Sequence, residues 1–290
     1  MQKRIIQTFL VLTLLGIIVG LPYASDFSVT LKKAQAGDRE AQYSLGLRYT
    51  WGVDVAQDYK KAFEWYTKAA EQGHAEAQAY LGLMYHTGEG VPQDYKKALQ
   101  WYTKAAKQGF DDAQYDLGLI YYKGYGVLQD YKKAAEWFTK AAEQGHADAQ
   151  NNIGVAYERG HGVPQDYKKA LEWYSKAAIQ GYALAQNNLG FMYYTGNGVP
   201  QDYKKALQWF SKAAEQGEAL AQYNLGLMYF NGFGVPQDYV QAYKWFNLSA
   251  AQGNEKAREN RDSLLKKMTS AQIAEGQRLS REAMERMQKK

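Results

Sequence analysis

Apolar positions in residues 74–109 fall first at Ala77, Leu81, Met84 and Tyr85, and then at Ala98, Trp101, Tyr102 and Ala105. Both sets keep to one face of a 3.6-residue period, and Gly88, Gly90 and Pro92 interrupt the chain between them. The pattern predicts a helix A, a tight turn and a helix B. Asp94 is placed to cap helix B, and Gly109 suits a left-handed stop after it.

The same pattern returns without a slip through the units 38–73, 74–109, 110–145, 146–181, 182–217 and 218–253. It carries Trp65, Trp101, Trp137, Trp173, Trp209 and Trp245, and an Ala-Gln pair from Ala41-Gln42 to Ala221-Gln222. A single hairpin cannot bury both its apolar stripes, so neighbours must stack. The expected fold is all-α, an α/α superhelical solenoid of six 36-residue helix-turn-helix repeats. Residues 26–37 precede it as an N-terminal cap and residues 254–290 follow as a C-terminal helical cap. In the latter, Asn254 to Ala257 begin a seventh helix A, but Arg261-Asp262 replace Leu-Gly, which leaves no place for the usual helix B. Thr269 and Gln272 form a capping box that opens a last helix through Ile273 and Leu279, whose charged outer face is expected to protect the open end.

Helix A contains a glycine in every unit: Gly46, Gly82, Gly118, Gly154, Gly190 and Gly226. Glycine inside a helix costs about 1 kcal/mol relative to alanine, so its return predicts a close approach, here to the Trp-bearing helix B. The Trp and the aromatic residue after it are both expected in the core rather than on a stacking platform. Gly88-Glu89-Gly90 follows a helix and lacks a P-loop lysine, so it reads as a turn and not a phosphate cradle. The first unit has Asp54 for the second glycine and Ala56 for proline, and the third has Leu128 for proline. Those two turns are expected to be the least regular.

The net charge of +5 is concentrated at the ends: Lys3 and Arg4, and ten Lys/Arg against six Asp/Glu in residues 254–290. Without a basic stripe along the repeats, a nucleic-acid partner is not expected. There is no cysteine, hence no disulfide, thiol nucleophile, Cys-based zinc site or lipobox. His74, His86, His146 and His161 show no metal-ligand spacing, and no serine sits in a nucleophile elbow. No catalytic residue, metal or cofactor is expected.

Lys3 and Arg4 precede an apolar run from Ile5 to Leu21, and Pro22 to Ser25 lead into polar sequence. Residues 1–25 therefore read either as a cleaved signal peptide or as an uncleaved membrane anchor through residues 5–21. Both place the repeats outside the cytoplasm, in the periplasm, secreted, or tethered to the inner membrane.

The constellation A-x-A-Q-x-x-L-G-x-M-Y, G-x-G-V-P-Q-D-Y-x-K-A and W-Y-x-K-A-A-x-Q-G, spread over residues 38–253, resembles the Sel-one-like repeat (SLR) family, relatives of the tetratricopeptide repeats. The resemblance implies a right-handed superhelix that serves as an interaction scaffold, with helix A lining a concave groove and a lysine-rich helix B outside. It associates exported bacterial members with envelope regulation, complex assembly and host contact, and suggests a protein or peptide partner. A cysteine-rich exported branch binds penicillin-like compounds, which keeps a cell-wall or β-lactam-binding envelope enzyme as an alternative, although this chain lacks those cysteines. A membrane-tethered assembly factor is the third reading.

On helix A the second-turn doublets are Tyr43-Ser44, Ala79-Tyr80, Tyr115-Asp116, Asn151-Asn152, Asn187-Asn188 and Tyr223-Asn224. Asparagine is a mediocre helix former, and its amide offers a donor and an acceptor. The five asparagines either grip the backbone of an extended peptide, or are solvated or tie helix A to its neighbour. One turn earlier stand Glu40, Glu76, Asp112 and Asp148, then Leu184 and Leu220; further on, Tyr122, Tyr194 and Phe230 share a position with His86 and Glu158. These positions suggest a groove acidic at one end and apolar at the other, for a partner with a basic part. The acids also suit a helix N-terminus. Tyr115 and Tyr223 complete the candidate partner-binding set.

Overall fold

The computed structural model describes residues 26–288, so the leader read in residues 1–25 lies outside the described residues. Fifteen α-helices and no strand occur among the described residues. The chain divides into two compact units at Ala113/Gln114. Unit 1 holds α1 (Phe27–Gln35), α2 (Arg39–Trp51), α3 (Tyr59–Glu71), α4 (Ala75–Thr87) and α5 (Tyr95–Lys107). The division falls inside α6 (Asp111–Lys123). Unit 2 continues with α7 (Tyr131–Glu143), α8 (Ala147–Arg159), α9 (Tyr167–Ile179), α10 (Ala183–Thr195), α11 (Tyr203–Glu215), α12 (Ala219–Asn231), α13 (Tyr239–Ala251), α14 (Glu255–Leu265) and α15 (Ser270–Gln288). In unit 1, α4 packs on both α3 and α5; in unit 2, α10 packs on both α9 and α11, and α12 on both α11 and α13.

The helix boundaries follow from their caps. Asp58, Asp94, Asp130, Asp166, Asp202 and Asp238 accept backbone N–H groups at the start of each helix B. Gly88, Gly160, Gly196 and Gly232 end their A helices in the left-handed region. The turn glutamine then closes the A helix: Gln93 Nε2 donates to the His86 carbonyl at 2.7 Å, and Gln201 Nε2 to that of Tyr194 at 2.8 Å.

Contrary to expectation, the first and third turns are as regular as the others. Asp58 N–H reaches the Tyr49 carbonyl at 2.9 Å, and Asp130 N–H that of Tyr121 at 2.9 Å, as Asp94 N–H reaches Tyr85 at 2.8 Å. Asp54 takes up φ +60° itself, which aspartate tolerates. Its carboxylate meets Arg48 Nη1 at 2.5 Å, and Arg48 is fully buried where the other A helices carry Met84, Ile120, Ala156, Met192 and Met228. The two departures are one compensated change.

The tryptophans are less buried than expected. The fully sequestered ring of each unit is the residue after Trp: Tyr66, Tyr102, Phe138, Tyr174, Phe210 and Phe246 are all at or below 3% exposure. The helix A glycine faces that ring and not the Trp, since a Cβ on Gly190 would lie 2.8 Å from Phe210 Cδ1, and one on Gly118 2.5 Å from Phe138 Cδ1. Trp65, Trp101, Trp137, Trp173 and Trp209 are half-buried. Trp101 packs against the cluster around Tyr66 and Leu81, Trp173 against that around Phe138 and Ile153, and Trp209 against that around Tyr174 and Leu189. Each thus joins its unit to the one before. The outer face carries a lysine one turn on, with Lys104 Nζ 3.9 Å from the Trp101 ring and Lys176 Nζ 4.0 Å from Trp173.

The repeated Ala-Gln glutamine is a second join. Gln186 Nε2 donates to the Ala178 carbonyl on the preceding helix B at 3.1 Å, and its Oε1 accepts Gln216 Nε2 at 2.8 Å. Gln78 does the same with Ala70 and Gln108 at 3.0 and 2.8 Å. These amides are buried and satisfied on both sides, which fixes the stacking register.

At the C-terminus the Thr269–Gln272 capping box forms, with Thr269 N–H to Gln272 Oε1 at 2.9 Å and Gln272 N–H to Thr269 Oγ1 at 3.3 Å. The last helix, α15, packs on the flank of α13. Gly276 lets it approach, for a Cβ there would lie 2.6 Å from Tyr243 Cδ1. Ala283, Met284 and Met287 extend the cluster of Phe210, Trp245 and Leu248. Trp245 is accordingly buried to 6% exposure; Leu248 stands where the other repeats carry the lysine that covers Trp, and Lys244 Nζ lies 4.0 Å from the Trp245 ring instead. The expected end-protecting helix therefore covers the helix B flank of the sixth repeat.

Candidate partner-binding face of the A helices

Successive A helices in unit 2 are tied across their second turns. Asn188 Nδ2 donates to Asn151 Oδ1, and Asn224 Nδ2 to Asn187 Oδ1, both at 2.9 Å. Asn260 Nδ2 donates to Tyr223 Oη at 3.4 Å, and Tyr115 hydrogen-bonds Asn152. The first residue of one doublet thus meets the second residue of the next. Asn151 and Asn187 are buried, at 5% and 6% exposure, while Asn152, Asn188 and Asn224 are half-buried. The tie accounts for the asparagines; those it leaves partly exposed are Asn152, Asn188 and Asn224. We expect Asn188→Ala and Asn224→Ala each to destabilise the fold by about 1 kcal/mol, because the amide left behind on Asn151 or Asn187 is buried. Thermal unfolding checks this, and an unchanged midpoint would show that the ties are not needed.

Tyr115 is held by its ring stacked on His146 at 4.6 Å. Burial pushes its ionisation well above the usual tyrosine range, with Asp148 and Asp116 adding to the effect. Tyr122, Tyr194 and Phe230 serve the core more than the face. The units whose buried ring is Phe138, Phe210 or Phe246 have an aromatic sixteen residues earlier; those with Tyr66 and Tyr174 have Thr50 and Glu158. Tyr66 Oη lies 3.0 Å from Thr50 Oγ1, and Tyr174 donates to Glu158 at 2.5 Å. Tyr122 lies 6.5 Å from Phe138, and Phe230 6.5 Å from Phe246. The apparent gradient at this position thus tracks whether a buried hydroxyl needs a partner.

The acidic positions sit in the first turns of their helices and meet the residue that opens the next A helix. In unit 1, His74 Nε2 lies 3.0 Å from Glu40, and its Nδ1 3.1 Å from Glu76. In unit 2, Tyr182 donates to Asp148 at 2.5 Å. Asp112 is half-buried in the first turn of α6. Among the described residues no three His, Cys, Asp or Glu side chains converge as a metal site, and no helix is long and apolar enough to cross a membrane.

Two large apolar side chains stand open on the unit 2 face. Phe191 is 42% exposed and Leu220 53%. With Asn187, Tyr223, Asn224 and Lys256 they line a cleft of about 610 Å³. Phe191 escaped the sequence reading because its position is otherwise occupied by Leu83, Leu119, Val155 and Leu227. An aromatic there passes for one more core residue.

The Sel1 repeat model matches residues 39–74, 75–110, 111–146, 147–182, 183–218 and 219–254. The chain belongs to the Sel1 repeat family. Similar solved structures include the SLR-fold protective antigen of uropathogenic Escherichia coli strains, 42% identical with a TM-score of 0.80. That match covers 89% of this chain and 56% of the other, so the chain spans little more than half the length of that relative. A Sel1 repeat protein from Oxalobacter formigenes is 31% identical with a TM-score of 0.68, covering 77% of this chain and 96% of the other. No curated protein matches. Sel1 repeat proteins are in general protein-interaction scaffolds, mostly without enzymatic activity.

Proposed function

We propose that this Sel1 repeat protein is an exported, non-catalytic scaffold that holds a protein partner on the exposed face of its A helices, in envelope regulation, complex assembly or host contact. The observation that carries the reading is the pair of exposed apolar side chains, Phe191 and Leu220, on helices made rigid by the asparagine and glutamine ties. Apolar anchors on a preformed frame bind with little ordering cost, which is what a scaffold needs. Export rests on Lys3, Arg4 and the apolar run of residues 5–21.

Photo-crosslinking in the native envelope tests the site. A benzophenone amino acid at Phe191 should trap a discrete partner, and the same probe at Lys168 on helix B should not. Equal capture at both positions, or none at Phe191, rejects the face. A reporter active only outside the cytoplasm, fused after residue 253, should be active; activity of a cytoplasmic reporter instead rejects export.

A further inference from the structure

The first-turn position of the A helices in unit 2 changes character along the array. It reads Asp148 on α8, Leu184 on α10, Leu220 on α12 and Lys256 on α14. Asp116, one turn on in α6, adds a second acid at the first end, and the exposed Phe191 lies among the apolar positions. Asp148 suits the positive end of a helix, but Lys256 does not: a cation in the first turn opposes the macrodipole. It has no role in ending or starting α14, which Asn254 caps by accepting the Ala257 N–H at 3.1 Å. Lys256 lines the same cleft as Phe191 and Leu220.

We infer that this face recognises an extended peptide segment of opposite charge at its two ends, a cationic group beside Asp148 and Asp116, a carboxylate beside Lys256, and apolar side chains between them over Leu184, Phe191 and Leu220. The inference rests on the partner-binding reading above and names the partner's chemistry. Successive A helices are near enough for Asn188 to bond Asn151 and Asn224 to bond Asn187, so at about 8–10 Å a step the three steps from α8 to α14 span about 25–30 Å. That is the reach of about eight extended residues. The half-buried amides of Asn152, Asn188 and Asn224 follow the same line, spaced to meet a backbone whatever its side chains.

The test is calorimetric titration of the intact protein, at low ionic strength, with three synthetic octapeptides that share an apolar middle. One carries lysine at one end and glutamate at the other, one lysine at both ends, and one glutamate at both; their termini are blocked. The dipolar peptide should bind about five-fold tighter than either of the others. Lys256→Glu should transfer that preference to the doubly basic peptide, and Phe191→Ser should weaken all three. Both substituted side chains are exposed, and circular dichroism verifies that the variants fold. Equal affinity for the three peptides, still reduced by Phe191→Ser, overturns the charge assignment while the apolar face stands. Binding indifferent to Phe191→Ser overturns the face itself. Failure of all three to bind overturns recognition of an extended peptide, leaving the protein-partner reading to the crosslinking result.

Discussion

Phe210→Ala is expected to destabilise the protein by about 3–5 kcal/mol, and Trp209→Ala by only about 1–3 kcal/mol, measured as unfolding in urea followed by helicity. Phe210 is 1% exposed and fills the space that Gly190 vacates, so truncation opens a cavity that neither α10 nor α11 can close without moving. Trp209 is larger, but it is only partly buried and lies under Lys212, whose Nζ is 4.3 Å from the ring. Its inner side packs on the cluster of the preceding repeat. Losing it should therefore loosen one junction between repeats rather than hollow one repeat. A larger effect from Trp209→Ala than from Phe210→Ala would show that the junctions, and not the repeat interiors, limit stability.

Asp54→Gly restores the glycine common to the other turns, yet is expected to destabilise by about 3 kcal/mol, because it removes the carboxylate that meets the fully buried guanidinium of Arg48. Asp54 is itself exposed, which sets the expectation at the lower end for a broken buried pair. Arg48→Met alone leaves an exposed carboxylate and a well-filled core, and should cost less than 1 kcal/mol. The double variant Arg48→Met, Asp54→Gly should equal or exceed the parent in melting temperature. Additive effects of the two changes would show that the pair is not coupled.

Sel1 repeats are unusually legible because their information is local and repeated. Caps, turns and apolar periods depend on residues within a few positions of each other, so six copies make the helices and the 36-residue unit legible in the sequence, and the single Thr269–Gln272 cap is legible for the same local reason. The partner-binding candidates were legible only in part. Their position on helix A was visible, but the bonds between Asn151 and Asn188, and between Asn187 and Asn224, cross from one repeat to the next at a spacing of 37. A doublet inspected within one unit does not show its partner.

The sequence alone therefore determined the helix pairs, their number and their stacking, because each of these follows from the period of side chains along one helix. The tertiary structure decided which of two adjacent aromatics is the core ring. Trp209 and Phe210 lie about 100° apart on the same helix, and only the backbone of α10 at Gly190 selects the one that enters. It also decided that Leu248 marks a flank covered by α15, that Arg48 answers Asp54, and that Phe191 is exposed while its counterparts serve as packing. These are contacts between segments distant in sequence, and burial is a property of the space between helices that no single helix carries.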